Sequence, residues 1–155
     1  MLPYDFDASI GFWICMANQA VQRELADRLE PQGITYRQAQ VLGNLIHSGE
    51  MTQATLARKM FIEPPTLVGI LNRMERDGWI GRTICPSDRR KKYVRINPEA
   101  ADAWSKVVEC AYAVRAKASD GLTDEELATL KRLLEKVRAN LGAGVEIADL
   151  AACDD

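Results

Sequence analysis

The chain has 155 residues, of which 47% are hydrophobic and 27% are charged, a composition typical of one globular domain. Its formal net charge is −2 at pH 7, so the whole chain lacks the excess of positive charge expected of a nucleic-acid binder. No apolar run reaches the roughly 20 residues that span a bilayer, and the N-terminus lacks the basic start and apolar centre of a signal peptide. We therefore expect a cytoplasmic protein.

The cysteine and histidine residues show no pattern of a metal or catalytic site. Cys15, Cys85, Cys110 and Cys153 are widely spaced and His47 is the one histidine, so no zinc-site spacing is present. We expect no metal or other cofactor, and we expect Cys15 and Cys110 to fill the core. Because His47 has no recognisable nucleophile or acid partner nearby, and no glycine-rich phosphate loop is present, the sequence does not predict an enzyme.

Two helices are predicted before residue 50. The first extends from Ser9, its N-cap, to Glu30, because apolar residues recur along it at helical spacing. The second follows a capping-box pattern, with Thr35 three residues before Gln38, and ends near His47. Its predicted buried face consists of Val41, Leu42, Leu45 and Ile46.

A helix-turn-helix pattern follows. A short helix is predicted from Thr52, its N-cap, to Met60, and a tight turn leads into a second helix that begins at Pro64 and Pro65 and ends at Gly78. The second helix has an apolar stripe of Leu67, Ile70, Leu71 and Met74, and a polar stripe of Thr66, Gly69, Arg73 and Arg76. Helices joined by so tight a turn cross steeply and leave the second free to enter a DNA groove.

After Gly78 the pattern changes from helical to alternating, which predicts two strands over residues 79–84 and 93–96. The loop between them ends in four consecutive cations, residues 89–92, which suit contact with phosphates better than burial. Residues 51–100 carry ten Lys and Arg against five Asp and Glu, or +5, whereas the rest of the chain sums to −7. The alternative interpretation is a solvated loop beside an ordinary helical hairpin.

Two further helices are predicted after the strands. One is opened by Asn97 as N-cap and Pro98 and extends to about Ser119; the other follows the capping box that starts at Thr123 and ends near Leu141. Together with the first helix they carry more apolar surface than a compact winged-helix unit can cover. A two-fold dimer with interleaved helices would cover it, and it would bind half-sites about one DNA turn apart in a pseudo-palindromic operator.

The segment IEPPTLVGILNRMERDGWIGRTICPSDRRKKYVRINPEA resembles the MarR (multiple antibiotic resistance regulator) family, and within it the SlyA-like branch. Its most specific part is Ser87-Asp88-Arg89-Arg90, followed by a strand and Asn97-Pro98, and the resemblance covers residues 9 to 141. It implies a single MarR-like domain over 1–155, mainly α with a small β-hairpin wing. The winged helix-turn-helix lobe would cover 34–97, and dimerisation helices would cover 9–31 and 98–141.

The resemblance also implies roles in DNA binding. Arg89 corresponds to the wing-tip arginine that reaches into the minor groove, and Asp88 and Arg90 to the pair that braces the wing and contacts the DNA backbone. Gly69 departs from the family pattern, because close relatives often carry a basic residue there that reads a base, so shape readout by Arg89 is expected to contribute more. The predicted DNA-binding residues are Thr52, Gln53, Pro65, Thr66, Arg73, Arg76, Ser87, Asp88, Arg89, Arg90 and Lys91.

In relatives, the junction between the DNA-binding lobe and the dimer helices holds a pocket for phenolic or other small aromatic acids. The aromatic residues expected to converge there are Trp13, Tyr36, Trp104 and Tyr112. Arg37, His47 and Arg90 are the candidates to meet a carboxylate. The alternative is that the four rings belong to the core.

The sequence thus predicts a homodimeric, sequence-specific double-stranded DNA-binding regulator, a repressor by the usual role of the family, that a small aromatic acid releases from its operator. One alternative is a winged-helix module for protein–protein contact. The other is a redox-responsive regulator that uses Cys15, which lies one helical turn from Gly11, the position of the reactive cysteine in a peroxide-sensing branch.

Overall fold

Helices make up most of residues 4–84 and 91–142, the part of the chain that the computed structural model describes. The α-helices are α1 (Ile10–Leu29), α2 (Tyr36–Ser48), α3 (Gln53–Lys59), α4 (Pro64–Arg76), α5 (Ala101–Ala118) and α6 (Asp124–Asn140). Short 3₁₀ helices follow α1 at Glu30–Gln32 and precede α5 at Pro98–Ala100. Strands β1 (Met51–Thr52), β2 (Ile80–Ile84) and β3 (Lys92–Ile96) form an antiparallel sheet in the order β1-β3-β2.

The predicted caps are present at the starts of α1, α2 and α6. Ser9 Oγ accepts a hydrogen bond from the Phe12 amide at 3.3 Å. The helices α2 and α6 each begin with a complete capping box, formed by Thr35 with Gln38 and by Thr123 with Glu126. These bonds satisfy amide groups that the first helical turn leaves without intrahelical partners, which explains why local sequence alone located the helix starts.

The turn between α3 and α4 holds Phe61 in the left-handed conformation, with φ at +51°. The Phe61 amide donates to the Arg58 carbonyl and the Ile62 amide donates to the Ala57 carbonyl, both at 3.1 Å. This pair of bonds ends a helix in a conformation that glycine usually adopts. Phe61 is 94% exposed, so packing of its ring does not offset the backbone strain.

The sequence did not predict β1, so the wing is part of a three-stranded sheet rather than a hairpin alone. Met51 and Thr52 are both buried and pair with Val94 and Tyr93 of β3. A strand of two residues with both side chains buried has no alternating pattern, and only its partner in the folded chain identifies it. The antiparallel pairing of β2 with β3 agrees with the prediction.

The core lies where α2, α3 and α4 meet the sheet and the start of α5. The predicted buried face of α4 is confirmed for Leu67, Ile70, Leu71 and Met74. On α2, Val41, Leu42 and Leu45 are buried as predicted, but Ile46 is 47% exposed and its predicted burial is wrong. Removal of these apolar side chains from water is the main stabilising contribution to this packing.

By contrast, α6 has no buried residue, and Leu130 and Leu133 are about half exposed. On α1, the residues Trp13 and Met16 are similarly exposed. Apolar side chains at helical spacing that pack on nothing in the protomer leave a surface that water disfavours.

None of the helices within residues 4–84 and 91–142 is long and apolar enough to cross a membrane.

Two predictions about the second half of the chain need correction. Asn97 does not cap a helix with its side chain; its Nδ2 donates to the Gly78 carbonyl at 3.0 Å and so ties the end of β3 to the turn after α4. The following helix starts as a 3₁₀ turn and becomes α-helical at Ala101. The fold class itself is confirmed, because a mainly helical chain carries a small antiparallel wing in the winged helix-turn-helix arrangement.

Candidate nucleic-acid interface

The outward face of α4, opposite its buried stripe, carries Pro65, Val68, Gly69, Asn72 and Arg76, and all five are exposed. Arg73 lies beside this face and is also exposed. No side chain of the described residues covers the face at Gly69, because a Cβ built there would meet no atom within 4 Å. A helix with one face in the core and the other open is free to enter a groove about as wide as the major groove of DNA.

A second part of the interface is a cationic pocket of about 350 Å³ where the start of α3 meets the wing. We call it the α3–wing pocket; its lining residues are Thr52, Gln53, Ala54, Thr55, Arg58, Lys91 and Lys92. Three of these side chains are cationic and none is acidic, so the pocket attracts anions. Its position depends on β1, because the pairing of β1 with β3 holds the start of α3 against the N-terminal half of β3.

Polar groups in the α3–wing pocket are aligned by the helix cap. Thr52 Oγ1 accepts a hydrogen bond from the Thr55 amide at 3.1 Å, which confirms Thr52 as the N-cap, and the two hydroxyl groups lie 2.9 Å apart. The Nε2 atom of Gln53 is buried and has no hydrogen-bond acceptor among the residues that the structure describes. A buried amide donor without a partner costs free energy that an anionic ligand can recover.

An ion pair joins α4 to the wing. Arg82 of β2 donates to the Glu75 carboxylate of α4 through Nε at 3.0 Å and through a second guanidinium nitrogen. The hydrogen bonds and positive charge of Arg82 hold the pKa of Glu75 below its ordinary range. The pair fixes the wing strand relative to α4.

The structure brings together some of the predicted DNA-binding residues and leaves others untested. Thr52, Gln53 and Lys91 share the α3–wing pocket, and Pro65, Thr66, Arg73 and Arg76 are exposed on α4. Ser87, Asp88, Arg89 and Arg90 lie outside the described residues. The prediction omitted Arg58 and Lys92, although Lys92 closes the run of four cations that marked the wing.

Comparison with known proteins shows which family the winged region resembles. The family model for the MarR family matches residues 32–91, which include both helices of the helix-turn-helix and strand β2 of the wing but not strand β3. Wild type MarR from E. coli, in its apo form, is 28% identical over 88% of this chain and 97% of that chain, with a TM-score of 0.74. Residues 32–91 are therefore similar in sequence to the MarR family.

Two further solved structures resemble this chain. A mutant MarR from E. coli complexed with operator DNA is 29% identical over 83% of this chain and 92% of that chain, with a TM-score of 0.72. A probable transcriptional regulator from Pseudomonas aeruginosa is 28% identical over 86% and 99% of the two chains, with a TM-score of 0.70. The likeness to these structures extends over the helices of the chain as well as its winged region.

The predicted ligand residues are only partly brought together in the protomer. Tyr36 accepts a hydrogen bond from Gln40 at 3.1 Å, and the Arg37 guanidinium lies 6.0 Å from the Tyr36 ring centre. Burial raises the pKa of Tyr36. A concave surface of about 470 Å³ lies beside this tyrosine, and its lining includes the carboxylates of Asp27 and Glu30.

The other predicted ligand residues lie apart from this surface. Trp13 is 53% exposed and donates from Nε1 to the Asp7 carbonyl at 3.0 Å, and Tyr112 is 64% exposed. Trp104 is half-buried and packs against the core, whereas His47 is exposed. Ring-to-ring contacts within the described residues involve Tyr4, Phe6, Phe12 and Trp13, and none joins two of the four predicted pocket aromatics.

The two cysteines predicted to fill the core have different surroundings. Cys110 is half-buried and donates to the Arg28 carbonyl at 3.4 Å. Cys15 is exposed on α1 and accepts a hydrogen bond from Gln19 at 3.4 Å, so its predicted burial in the protomer is wrong. The prediction rested on the usual burial of free cysteine, but no described residue of the protomer covers this part of α1.

Proposed function

We propose that this chain is a member of the MarR family and a homodimeric, sequence-specific double-stranded DNA-binding transcriptional regulator that acts in the cytoplasm as a repressor on a pseudo-palindromic operator. The single observation that carries the proposal is the open outward face of α4, flanked by the exposed guanidinium groups of Arg73 and Arg76. The similar fold of a MarR mutant complexed with operator DNA supports it. Within the family we assign the chain to the SlyA-like branch, on the Ser87-Asp88-Arg89-Arg90 motif.

The DNA-binding roles follow from position and charge. The α4 face would lie in the major groove, with Pro65 and Thr66 at its leading end. The α3–wing pocket would take a backbone phosphate, which would accept a hydrogen bond from Gln53 Nε2 and pair with Lys91. From the family resemblance, Arg89 would enter the minor groove, with Ser87, Asp88 and Arg90 bracing the wing or contacting the backbone.

A second copy of the chain is the proposed cover for the apolar surfaces of α1 and α6. Leu130 and Leu133 on α6 are 50% and 47% exposed, and Trp13 on α1 is 53% exposed. We therefore propose dimerisation helices over 9–31 and 98–141 and a winged helix-turn-helix lobe over 34–97, within a single domain. Leu133→Glu should give a monomer by light scattering and weaken operator binding, because a single lobe contacts only one half-site.

The proposed effector is a small aromatic compound that binds beside Tyr36 and releases the operator. The concave surface there has apolar walls and a phenol, which suit an aromatic ring. Because Asp27 and Glu30 also line it, a neutral phenol suits this surface better than a carboxylate does unless Arg37 turns toward the ligand. The check is operator release and a thermal shift across matched phenols and aromatic acids, with Tyr36→Ala as the variant that should lose both responses.

Salt dependence tests the proposed function most directly. Duplexes selected from a random pool should bind with an affinity that falls steeply as salt rises, because cations on the protein displace counterions from phosphates. Arg89→Ala should cost on the order of 1–3 kcal/mol of operator binding without changing the dimer. Thr66→Ala and Arg73→Ala should also weaken binding.

Lys131→Ala provides the matched control, since it removes a cation whose side chain is 78% exposed on α6, outside the α4 face and the α3–wing pocket. It should leave operator affinity unchanged. A shallow dependence on salt, or equal losses for Lys131→Ala and Arg73→Ala, would instead favour a winged-helix module that contacts proteins.

A further inference from the structure

The outward face of α4 changes its chemistry along the helix. Its first two turns present Pro65, Val68 and Gly69, and its later turns present Asn72 and Arg76. Neither the side chains of Pro65 and Val68 nor Gly69 can donate or accept a hydrogen bond. The leading half of this face is therefore restricted to van der Waals contacts, while hydrogen bonding is confined to its trailing half and to Thr66 at its side.

Packing within the lobe does not explain why an apolar residue is exposed at position 68. The core side of α4 is filled by other residues, and Val68 on the opposite side is 40% exposed. Gly69 beside it leaves space next to the backbone, since a Cβ there would meet nothing within 4 Å. The result is an apolar shelf formed by Pro65 and Val68, with a gap at Gly69 that a bulky group can approach closely.

The major groove offers one apolar group to such a shelf. Each base pair presents hydrogen-bond donors and acceptors there, but only thymine adds a methyl group, at C5. A surface without donors gains nothing from the polar edges of guanine, cytosine or adenine, whereas it can remove a thymine methyl from water. The positive charge of Arg73 and Arg76 on the same helix favours duplex DNA over an uncharged partner.

We propose that the Pro65–Val68 shelf selects operators by contact with thymine methyl groups in each half-site. This inference rests on the proposed function and adds to it the class of base that the leading half of α4 recognises. At the base pairs that the shelf contacts, specificity then comes from burial of a methyl group. Hydrogen bonds to base edges are made by the trailing half of the helix.

Deoxyuridine provides the test, because it differs from thymidine only by the absence of the C5 methyl. A preferred duplex is selected from a random pool, and copies with deoxyuridine replacing thymidine at one position at a time are compared by fluorescence anisotropy. Affinity should fall about fourfold for each contacted methyl, the ratio expected for loss of one buried methyl-sized group. Replacements outside the half-sites should have no effect.

Protein variants then assign the contact to the shelf. Val68→Ala should reduce the fourfold discrimination between the thymidine and deoxyuridine duplexes, because it removes the two γ-methyl groups of the shelf while Pro65 remains. Ile46→Ala is the matched control, since it removes an aliphatic side chain of similar exposure on α2 and should keep the fourfold discrimination. Melting followed by circular dichroism checks that both variants are folded.

The outcomes separate the inference from the function on which it rests. If a duplex is bound but no deoxyuridine replacement weakens binding, or if Val68→Ala keeps the discrimination, the shelf does not read thymine although the protein is a DNA binder. If no duplex of any sequence is bound at low ionic strength, the proposed function is wrong and the inference with it.

Discussion

Neutralising Glu75 should destabilise the protein in a pH-dependent way. Glu75→Gln preserves the size of the side chain and an oxygen that can accept a hydrogen bond from Arg82, so the variant removes mainly the negative charge. In the wild type, Arg82 donates to this carboxylate through two nitrogens of its guanidinium group. The change therefore isolates the electrostatic part of the contact between α4 and β2.

The size of the effect follows from the exposure of the pair. The side chain of Arg82 is 23% exposed and that of Glu75 is 39% exposed, so water screens the attraction substantially. Exposed ion pairs contribute about 0.2–1 kcal/mol, and donation through two nitrogens by a partly shielded guanidinium group places this pair toward the upper end. We expect Glu75→Gln to lower the free energy of unfolding by about 0.5–1 kcal/mol at pH 7.

The sign of the pH dependence is determined by the lowered pKa of Glu75, which Arg82 causes by hydrogen bonding and by its charge. A carboxyl group with a depressed folded-state pKa stabilises the fold above its ordinary value of 4.5, and this contribution is lost as the pH falls through the folded-state pKa. The wild type and Glu75→Gln should therefore converge in stability in strong acid.

Urea denaturation at a series of pH values measures the effect, and a double-mutant cycle with Arg82→Gln assigns it to the pair. The coupling energy should match the loss in Glu75→Gln at pH 7. A loss that is unchanged at low pH, or a coupling energy near zero, would refute the electrostatic explanation.

Three further predictions concern single contacts, each measured by the shift in the urea midpoint. Phe61→Gly should stabilise the protein by up to about 1 kcal/mol, because glycine relieves the left-handed strain, whereas Phe61→Ala retains the strain and should not stabilise. Thr35→Ala should cost about 1 kcal/mol by removing the cap of α2, and Thr35→Ser should retain most of the stability. Asn97→Asp, which cannot donate to the Gly78 carbonyl, should cost about 1–3 kcal/mol at neutral pH, and equal stability of the variant would show that this hydrogen bond contributes nothing.

Part of the interface could be predicted because it is local. The buried and outward faces of α4 follow from the period of one helix, and so do the positions of Arg73 and Arg76. The α3–wing pocket could not be predicted in the same way, because it joins Arg58 to Lys92 through the pairing of β1 with β3. A two-residue strand leaves no periodic signal, so the sequence did not show that Lys92 would lie near Arg58.

The amino-acid sequence by itself determined the order of the helices, the caps of α1, α2, α3 and α6, and the concentration of positive charge around the wing, since capping, periodicity and charge are properties of neighbouring residues. Tertiary structure alone decided which apolar stripes are buried. The stripe on α4 packs into the core, whereas that on α6 remains exposed. The stripe on α1 is divided, because Leu29 at its end is buried while Trp13 near its start is exposed, as is Cys15. Amphipathic periodicity gives a helix an apolar face, but only the arrangement of the other elements determines whether anything packs against it.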